Sequence, residues 1–260
     1  MYLMEYGKKD MPILVFLHGG GVSGWMWDEQ INYFSENYHC IVPDLPGHGL
    51  SKEEHFTIQD SARAILDLLK DRKSEQPIIV VGFSLGAQIL VQMLSDETDF
   101  IDFAIINSAL TKPMKYSSKL IYPLLKISFP LVKLKQFAKL QAKVLYIREE
   151  QFESYYQETI SMTYDSFIQV MRENMAFQTP ENFKDSSTKI LITVGEKEKK
   201  IMRDSAKELV HQNNNSKGII IPSIGHGVSL ANPKFFHQIV EDWIATESLP
   251  KNVQVLHKQK

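Results

Sequence analysis

Ile78-Ile79-Val80-Val81-Gly82-Phe83-Ser84-Leu85-Gly86-Ala87-Gln88-Ile89-Leu90 is the stretch on which the reading of this chain turns. Four β-branched residues in a row suit a strand covered on both faces, and a helical pattern follows from Ala87 to Leu94. Between them lies the string G-x-S-x-G. Small residues two places either side of the serine relieve crowding in a sharp strand-to-helix turn, and that turn lifts the hydroxyl above the sheet edge. The helix beginning there directs its positive end and free N–H groups at the same point. Strand, turn and helix in this order make Ser84 the candidate nucleophile; a plain glycine-rich turn is the bland alternative.

Working outward, further short apolar runs occur at 13–17, 40–42, 103–106, 190–194 and 218–221. They are unalternated and rich in Val and Ile, as strands buried by crossover helices are. Between them, Ile58, Ala62, Ile65, Leu66 and Leu69 recur three or four apart, as do Phe236, Ile239, Val240 and Trp243. Both sets predict helices packed on a sheet. The fold class is therefore α/β, a mostly parallel central sheet flanked by helices.

The rhythm breaks over residues 111–184, which hold no strand pattern and several helical ones, punctuated by Pro113, Pro123, Pro130 and Pro180. That is too long for an ordinary connection, so an inserted helical lid is expected there, with 1–110 and 185–260 forming the core. Charge within it is lopsided. Residues 112–148 carry eight Lys and one Arg with no acid, whereas 149–185 carry eight acids against Arg172 and Lys184. Either two solvated helix faces attract one another, or the basic half attracts an anionic substrate or touches an anionic membrane surface. The basic tail from 249 onward reads as a loosely held end.

Composition limits the partners. With 260 residues, 29 Lys plus Arg against 31 Asp plus Glu and a net charge of -2, the chain lacks the basic surplus on which nucleic-acid binding depends. A lone Cys40 cannot form an internal disulfide, and Cys40 opens an apolar run, so it reads as a small buried hydrophobe in a cytoplasmic protein. Residues 1–10 lack the apolar run of a secretory leader. No stretch reaches the roughly 18 uncharged apolar residues of a membrane span.

A serine hydroxyl needs a base, and this sequence has eight His. Reactive groups in open α/β sheets gather beyond the carboxyl ends of strands, which selects His226, in Ser223-Ile224-Gly225-His226-Gly227 after the run 218–221. His18 precedes Gly19-Gly20-Gly21, where backbone rather than side chain is expected to act. His48 reads as a turn residue, and His55, His211, His237 and His257 as solvated positions on helices or the tail. The imidazole needs a carboxylate partner. Glu196 and Glu198 compete after the run 190–194; Glu198 is preferred to Glu196 and to Asp204, which falls in the next helical pattern.

Taken together, the chain resembles the α/β-hydrolase superfamily over nearly its whole length. Four blocks carry the likeness in order: His18-Gly19-Gly20 with Trp25 and Trp27 downstream, Asp44-Leu45-Pro46-Gly47-His48-Gly49-Leu50-Ser51, the Ser84 turn, and Gly225-His226. The resemblance implies a triad in the order Ser84, Glu198, His226, with the acid three residues after the glycine closing the penultimate strand; Asp is usual there, and this chain has Glu. It further implies an oxyanion hole made by the backbone N–H groups of Gly20 and Leu85, and that 111–184 is the cap between the family's strands six and seven. Only Tyr2 to Tyr6 precede Ile13, so the sheet's leading edge is expected to be abbreviated.

The expected chemistry is acyl transfer to Ser84 and hydrolysis of a carboxylic ester of small or medium apolar shape, a small-molecule substrate. Similar proteins use the same triad for carbon–carbon cleavage, lyase elimination or acyl transfer. With five Arg in all, and Arg148 and Arg172 alone in the insertion, substrates with several carboxylates are disfavoured. A non-catalytic ligand-binding protein on this fold is the alternative from another class. Ser84 in place of a nucleophilic Asp sets aside dehalogenase and epoxide-hydrolase chemistry. No metal-ligand or phosphate-loop motif occurs, so no cofactor is expected.

Overall fold

A computed structural model of the chain describes residues 1–113 and 118–258. Residues 114–117 of the expected insertion and 259–260 of the tail lie outside the described residues. Eight strands, β1 (Tyr2–Tyr6), β2 (Ile13–Leu17), β3 (His39–Asp44), β4 (Ile78–Phe83), β5 (Phe103–Asn107), β6 (Lys189–Gly195), β7 (Ser216–Ile221) and β8 (Gln254–Leu256), form one sheet. Their order is β1-β3-β2-β4-β5-β6-β7-β8, parallel from β3 through β7 and antiparallel at both edges. The six apolar runs are the six parallel strands.

The helices in chain order are α1 (Asp28–Phe34), α2 (Ile58–Lys70), α3 (Leu85–Asp96), α4 (Ser118–Val132), α5 (Lys135–Val144), α6 (Glu149–Ser161), α7 (Tyr164–Ala176), α8 (Lys200–Gln212), α9 (Val228–Ala231) and α10 (Pro233–Thr246). Successive residues of β2 serve opposite faces: Ile13, Val15 and Leu17 join the apolar layer of α2 and α3, while Leu14 and Phe16 join that of α1 and α10. This double burial explains the unalternated patterning. The thiol of Cys40 is buried in the second layer, where removal from water pushes its pKa up to about 12.

The fold creates a crevice. Connections from β2 lead outward to β3, then return across the sheet to β4, so the carboxyl ends of the neighbours β2 and β4 mark a topological switch point. Gly20 follows the first and Ser84 the second.

Helices α4–α7 occupy the stretch between β5 and β6, with no strand among the described residues. Pro123 and Pro130 lie inside α4 without ending it; each removes one rung of a ladder that continues around it. Attraction between basic and acidic halves is realised at Lys135–Glu153 (2.9 Å) and Arg148–Glu150 (3.2 Å), while Arg148 also pairs with Glu29 of α1 and Lys112 with Glu208 of α8.

The tail departs from expectation. Gln254–Leu256 is a strand on β7, and Leu256 is buried. Gly218 lies beneath it: a Cβ there would stand 2.4 Å from Val210 Cγ2 of α8 and 3.1 Å from Leu256 Cδ1, so both side chains pack over the bare backbone. At the opposite edge, β1 pairs along all five residues with β3 and alone precedes β2.

Candidate active site

Ser84 joins β4 to α3 with φ at +53°, a region that costs a non-glycine residue about 1–3 kcal/mol. Its neighbours explain why the turn closes. A Cβ on Gly82 would lie 2.5 Å from the Gly86 carbonyl oxygen, and one on Gly86 would lie 2.3 Å from that of Leu17. Ser84 N–H donates to Asn107 O (2.9 Å) and Gly86 N–H to His18 O (3.0 Å), so the turn is held from β5 on one side and β2 on the other.

The hydroxyl meets an imidazole. Ser84 Oγ lies 3.0 Å from His226 Nε2, and His226 Nδ1 lies 2.9 Å from Glu198 Oε2. A carboxylate can only accept, which places the imidazole proton on Nδ1 and leaves Nε2 to accept from the serine. Glu198 follows β6 in a tight turn, with its N–H donating to Gly195 O at 3.2 Å, and its side chain is buried. Its other oxygen, Oε1, accepts from Gly195 N–H (2.9 Å) and from Ser108 Oγ–H (2.6 Å). Gly195 is needed for the approach of the two loops, since a Cβ there would strike the Gly225 carbonyl oxygen at 2.3 Å.

The competing acids point elsewhere. Glu196 accepts from Ser223 N–H at 2.8 Å, and Asp204 pairs with Lys200 one turn away on α8. His18 is buried, accepts from Leu45 N–H at 2.9 Å through Nε2, and is held neutral with its pKa lowered to about 3 by burial and by nearby His48. His48 is itself buried, donating from Nδ1 to Pro46 O at 3.0 Å. His237, expected to be solvated, is buried instead and stacks on Tyr33 at 4.2 Å, because that face of α10 packs on α1. His55, His211 and His257 are exposed.

Two amides stand free beside the serine. Neither Gly20 N–H nor Leu85 N–H donates to an acceptor among the described residues, and both residues line a cavity with Ser84. Gly20 approaches Leu85 closely, as a Cβ on the glycine would lie 4.0 Å from Leu85 Cβ. The cavity has a volume of about 460 Å³ and is walled by helices α4–α7 through Val132, Val144, Tyr155, Phe167 and Met171, with Gln141, Thr159 and Asn174 as polar points. Among the described residues no charged side chain lines it.

Several supporting residues had not been expected. Asp44 accepts from Gly24 N–H and Leu50 N–H, both at 2.9 Å, which gives the Asp44–Ser51 block a role in fixing loops rather than in chemistry. Glu158 of α6 accepts from Ser23 Oγ–H and from Trp25 Nε1–H (2.9 Å), just past Gly20 and Gly21. Burial, with a smaller contribution from Asp44, pushes its pKa up to about 7 against the pull of those two donors. Arg203 donates to the carbonyl oxygens of Glu196 and Glu198, and Tyr146 Oη accepts from Gly225 N–H. Ser108 alone carried a legible signal, standing directly after a strand at the reactive edge. Among the described residues no group of three metal-binding side chains occurs, and no helix is long and apolar enough to cross a membrane.

Comparison with known proteins agrees with this architecture. The model of the alpha/beta hydrolase family matches residues 14–239. The chain is 35% identical over 98 residues to the magnesium-chelatase 30 kDa subunit of Rhodobacter capsulatus, covering 36% of this chain and 34% of that one. It is 32% identical over 89 residues to a pimeloyl-[acyl-carrier protein] methyl ester esterase of Vibrio cholerae, covering 34% and 33%. These matches thus span about a third of each relative. A bromoperoxidase structure from Bacillus anthracis superposes with a TM-score of 0.79 at 18% identity, over 94% of both chains, and so shares the fold.

Proposed function

The chain belongs to the alpha/beta hydrolase family, and from that premise we propose that it is a serine hydrolase cleaving carboxylic esters with a small or medium apolar acyl part. One observation carries the reading: the relay from Ser84 through His226 to Glu198 opens on a cavity whose lining, among the described residues, is uncharged and largely apolar.

In this reading His226 Nε2 takes the Ser84 proton as Oγ attacks the ester carbonyl carbon. Charge gathers on the carbonyl oxygen, which accepts from the N–H groups of Gly20 and Leu85, each donor being worth on the order of 3 kcal/mol in the transition state. Glu198 stabilises the imidazolium. Collapse expels the alcohol, which takes its proton from His226 and leaves an acyl-Ser84. Water then attacks that ester as His226 removes its proton, and the carboxylic acid departs with Ser84 restored. The helices of 111–184 act as the cap that excludes bulk water. Substrates with several carboxylates, which the lyase alternative favours, are opposed by the lack of Lys and Arg among the described residues of the lining. A cytoplasmic location is part of the proposal, supported by the single, unpaired Cys40.

The test is a panel of p-nitrophenyl esters of rising chain length with wild type and Ser84→Ala. Wild type is expected to turn over the short and medium esters, and the variant to fold normally while losing about six decades of turnover. A variant keeping a hundredth of wild-type activity would remove Ser84 from the mechanism. No turnover of any ester by wild type would move the assignment to carbon–carbon cleavage or lyase elimination.

A further inference from the structure

Eleven large apolar side chains are markedly exposed among the described residues, and five of them fall between 127 and 144: Ile127, Leu131, Leu134, Leu140 and Val144. Their spacing is helical. Ile127 and Leu131 stand one turn apart on α4, opposite Phe129, which packs on Tyr164 and Phe167 of α7. Leu140 and Val144 stand one turn apart on α5, away from the buried Ala138 and Ala142. An ordinary solvated helix turns its polar side outward; here Ile127 is 69% exposed and Val144 62%.

The two helices that carry this face hold no acid of their own, although Glu153 of α6 reaches Lys135 beside it. The stretch 112–148 contains no acid, while the remainder of the chain is strongly acidic. Lys126 and Lys143, which border the apolar side chains, make no ion pair among the described residues. Leucines flanked by lysines on an exposed helix face match an anionic lipid surface, with apolar groups entering the acyl boundary and ammonium groups meeting the phosphates. An acidic protein would answer the lysines but leaves the five apolar groups without a stated partner. The position is telling as well: Leu140 and Val144 belong both to this face and, with Val132, to the wall of the cavity that holds Ser84.

We propose that the outer face of α4 and α5 docks on an anionic lipid bilayer, and that the ester reaching Ser84 is an amphiphile drawn from that surface past Leu140 and Val144. The second half rests on the esterase reading; the first does not.

The experiment is co-sedimentation of full-length Ser84→Ala protein with phosphatidylcholine vesicles, with and without phosphatidylglycerol, at low and high salt. Binding is expected with the anionic vesicles, weakening as salt rises. Adding Ile127→Asp and Leu134→Asp should lower partitioning about tenfold or more, and Lys126→Glu with Lys143→Glu should act similarly without altering the apolar groups. Circular dichroism melting checks that each variant is folded. No binding to anionic vesicles at low salt overturns the proposal, as does wild-type binding by both folded double variants. Equal binding to soluble polyglutamate, insensitive to Ile127→Asp and Leu134→Asp, also overturns it and assigns the face to an acidic protein. Because Ser84→Ala needs no turnover to bind, failure here is separable from failure of the ester assay.

Discussion

The Tyr146 hydroxyl accepts a hydrogen bond of 2.8 Å from the backbone N–H of Gly225, the residue before His226. Tyr146 lies just beyond α5 with φ at +60°, so a strained residue of the insertion steadies the loop that carries the imidazole. A Cβ on Gly225 would stand 3.0 Å from that hydroxyl, which explains why glycine occupies the position.

Tyr146→Phe keeps the ring and removes the acceptor, leaving a partly buried N–H unmatched at a cost of about 1–2 kcal/mol. Turnover of a p-nitrophenyl ester should fall about tenfold in kcat with KM nearly unchanged, because the imidazole rather than the substrate pocket loses its support. Steady-state kinetics decide; a change confined to KM would place Tyr146 in substrate binding instead.

Ser108→Ala deprives Glu198 Oε1 of its 2.6 Å donor while Gly195 N–H and His226 remain. Hydrogen bonds to a charged group contribute about 1.5–3 kcal/mol, so kcat should drop by one to two decades, to roughly 1–10%. Ser108→Ala with wild-type kcat would show that the carboxylate is held well enough by the other two.

Glu158 titrates against stability in a defined window. Its pKa in the folded protein, about 7, stands above the 4.5 of an ordinary glutamate. Both states are protonated below pH 4.5, so the full contribution is present there. Between 4.5 and about 7 the unfolded chain gives up the proton while the folded chain retains it, and stability falls; above 7 the loss is complete. After allowance for solvent screening it is on the order of 2 kcal/mol. Glu158→Gln carries no titrating group, so the gap in melting temperature between variant and wild type should change from pH 4.5 to 7 and stay constant beyond. A constant gap across the whole range would contradict this.

Gly86→Ala places a methyl 2.3 Å from Leu17 O and 2.7 Å from His18 O, both backbone atoms that cannot rotate away. Either β2 shifts or the turn opens, at a cost of about 3 kcal/mol or more, and urea midpoints should show it. Esterase activity should disappear before the fold does, because the same movement displaces Ser84.

Legibility followed the range of the interaction. The Ser84 turn was readable because strand, G-x-S-x-G string and helix follow one another along the chain, and His226 because it comes after the apolar run that becomes β7; after the run of β6 two acids competed, and the family likeness favoured Glu198 over Glu196. What escaped depended on distant partners. Residues 254–256 become a strand by pairing with β7, where Leu256 packs over Gly218 beside Val210, and neither segment shows this alone. The burial of His237 needs Tyr33, some 200 places earlier. Glu158 and Tyr146 sit in helices or turns of unremarkable pattern, and only the meeting of insertion and core gives them partners. The free amides of Gly20 and Leu85 are legible through family likeness alone, since an unoccupied N–H leaves no mark on side-chain patterning.

The state of Cys40 has a practical corollary. As the sole thiol of the chain, sealed inside and held protonated far above neutral pH, it will ignore maleimides and iodoacetamides. A second cysteine placed at an exposed position such as Ile127 would then be the one site of modification. The native background needs no prior removal of sulfhydryls, so a fluorophore or spin label can report on the helical insertion from a single address.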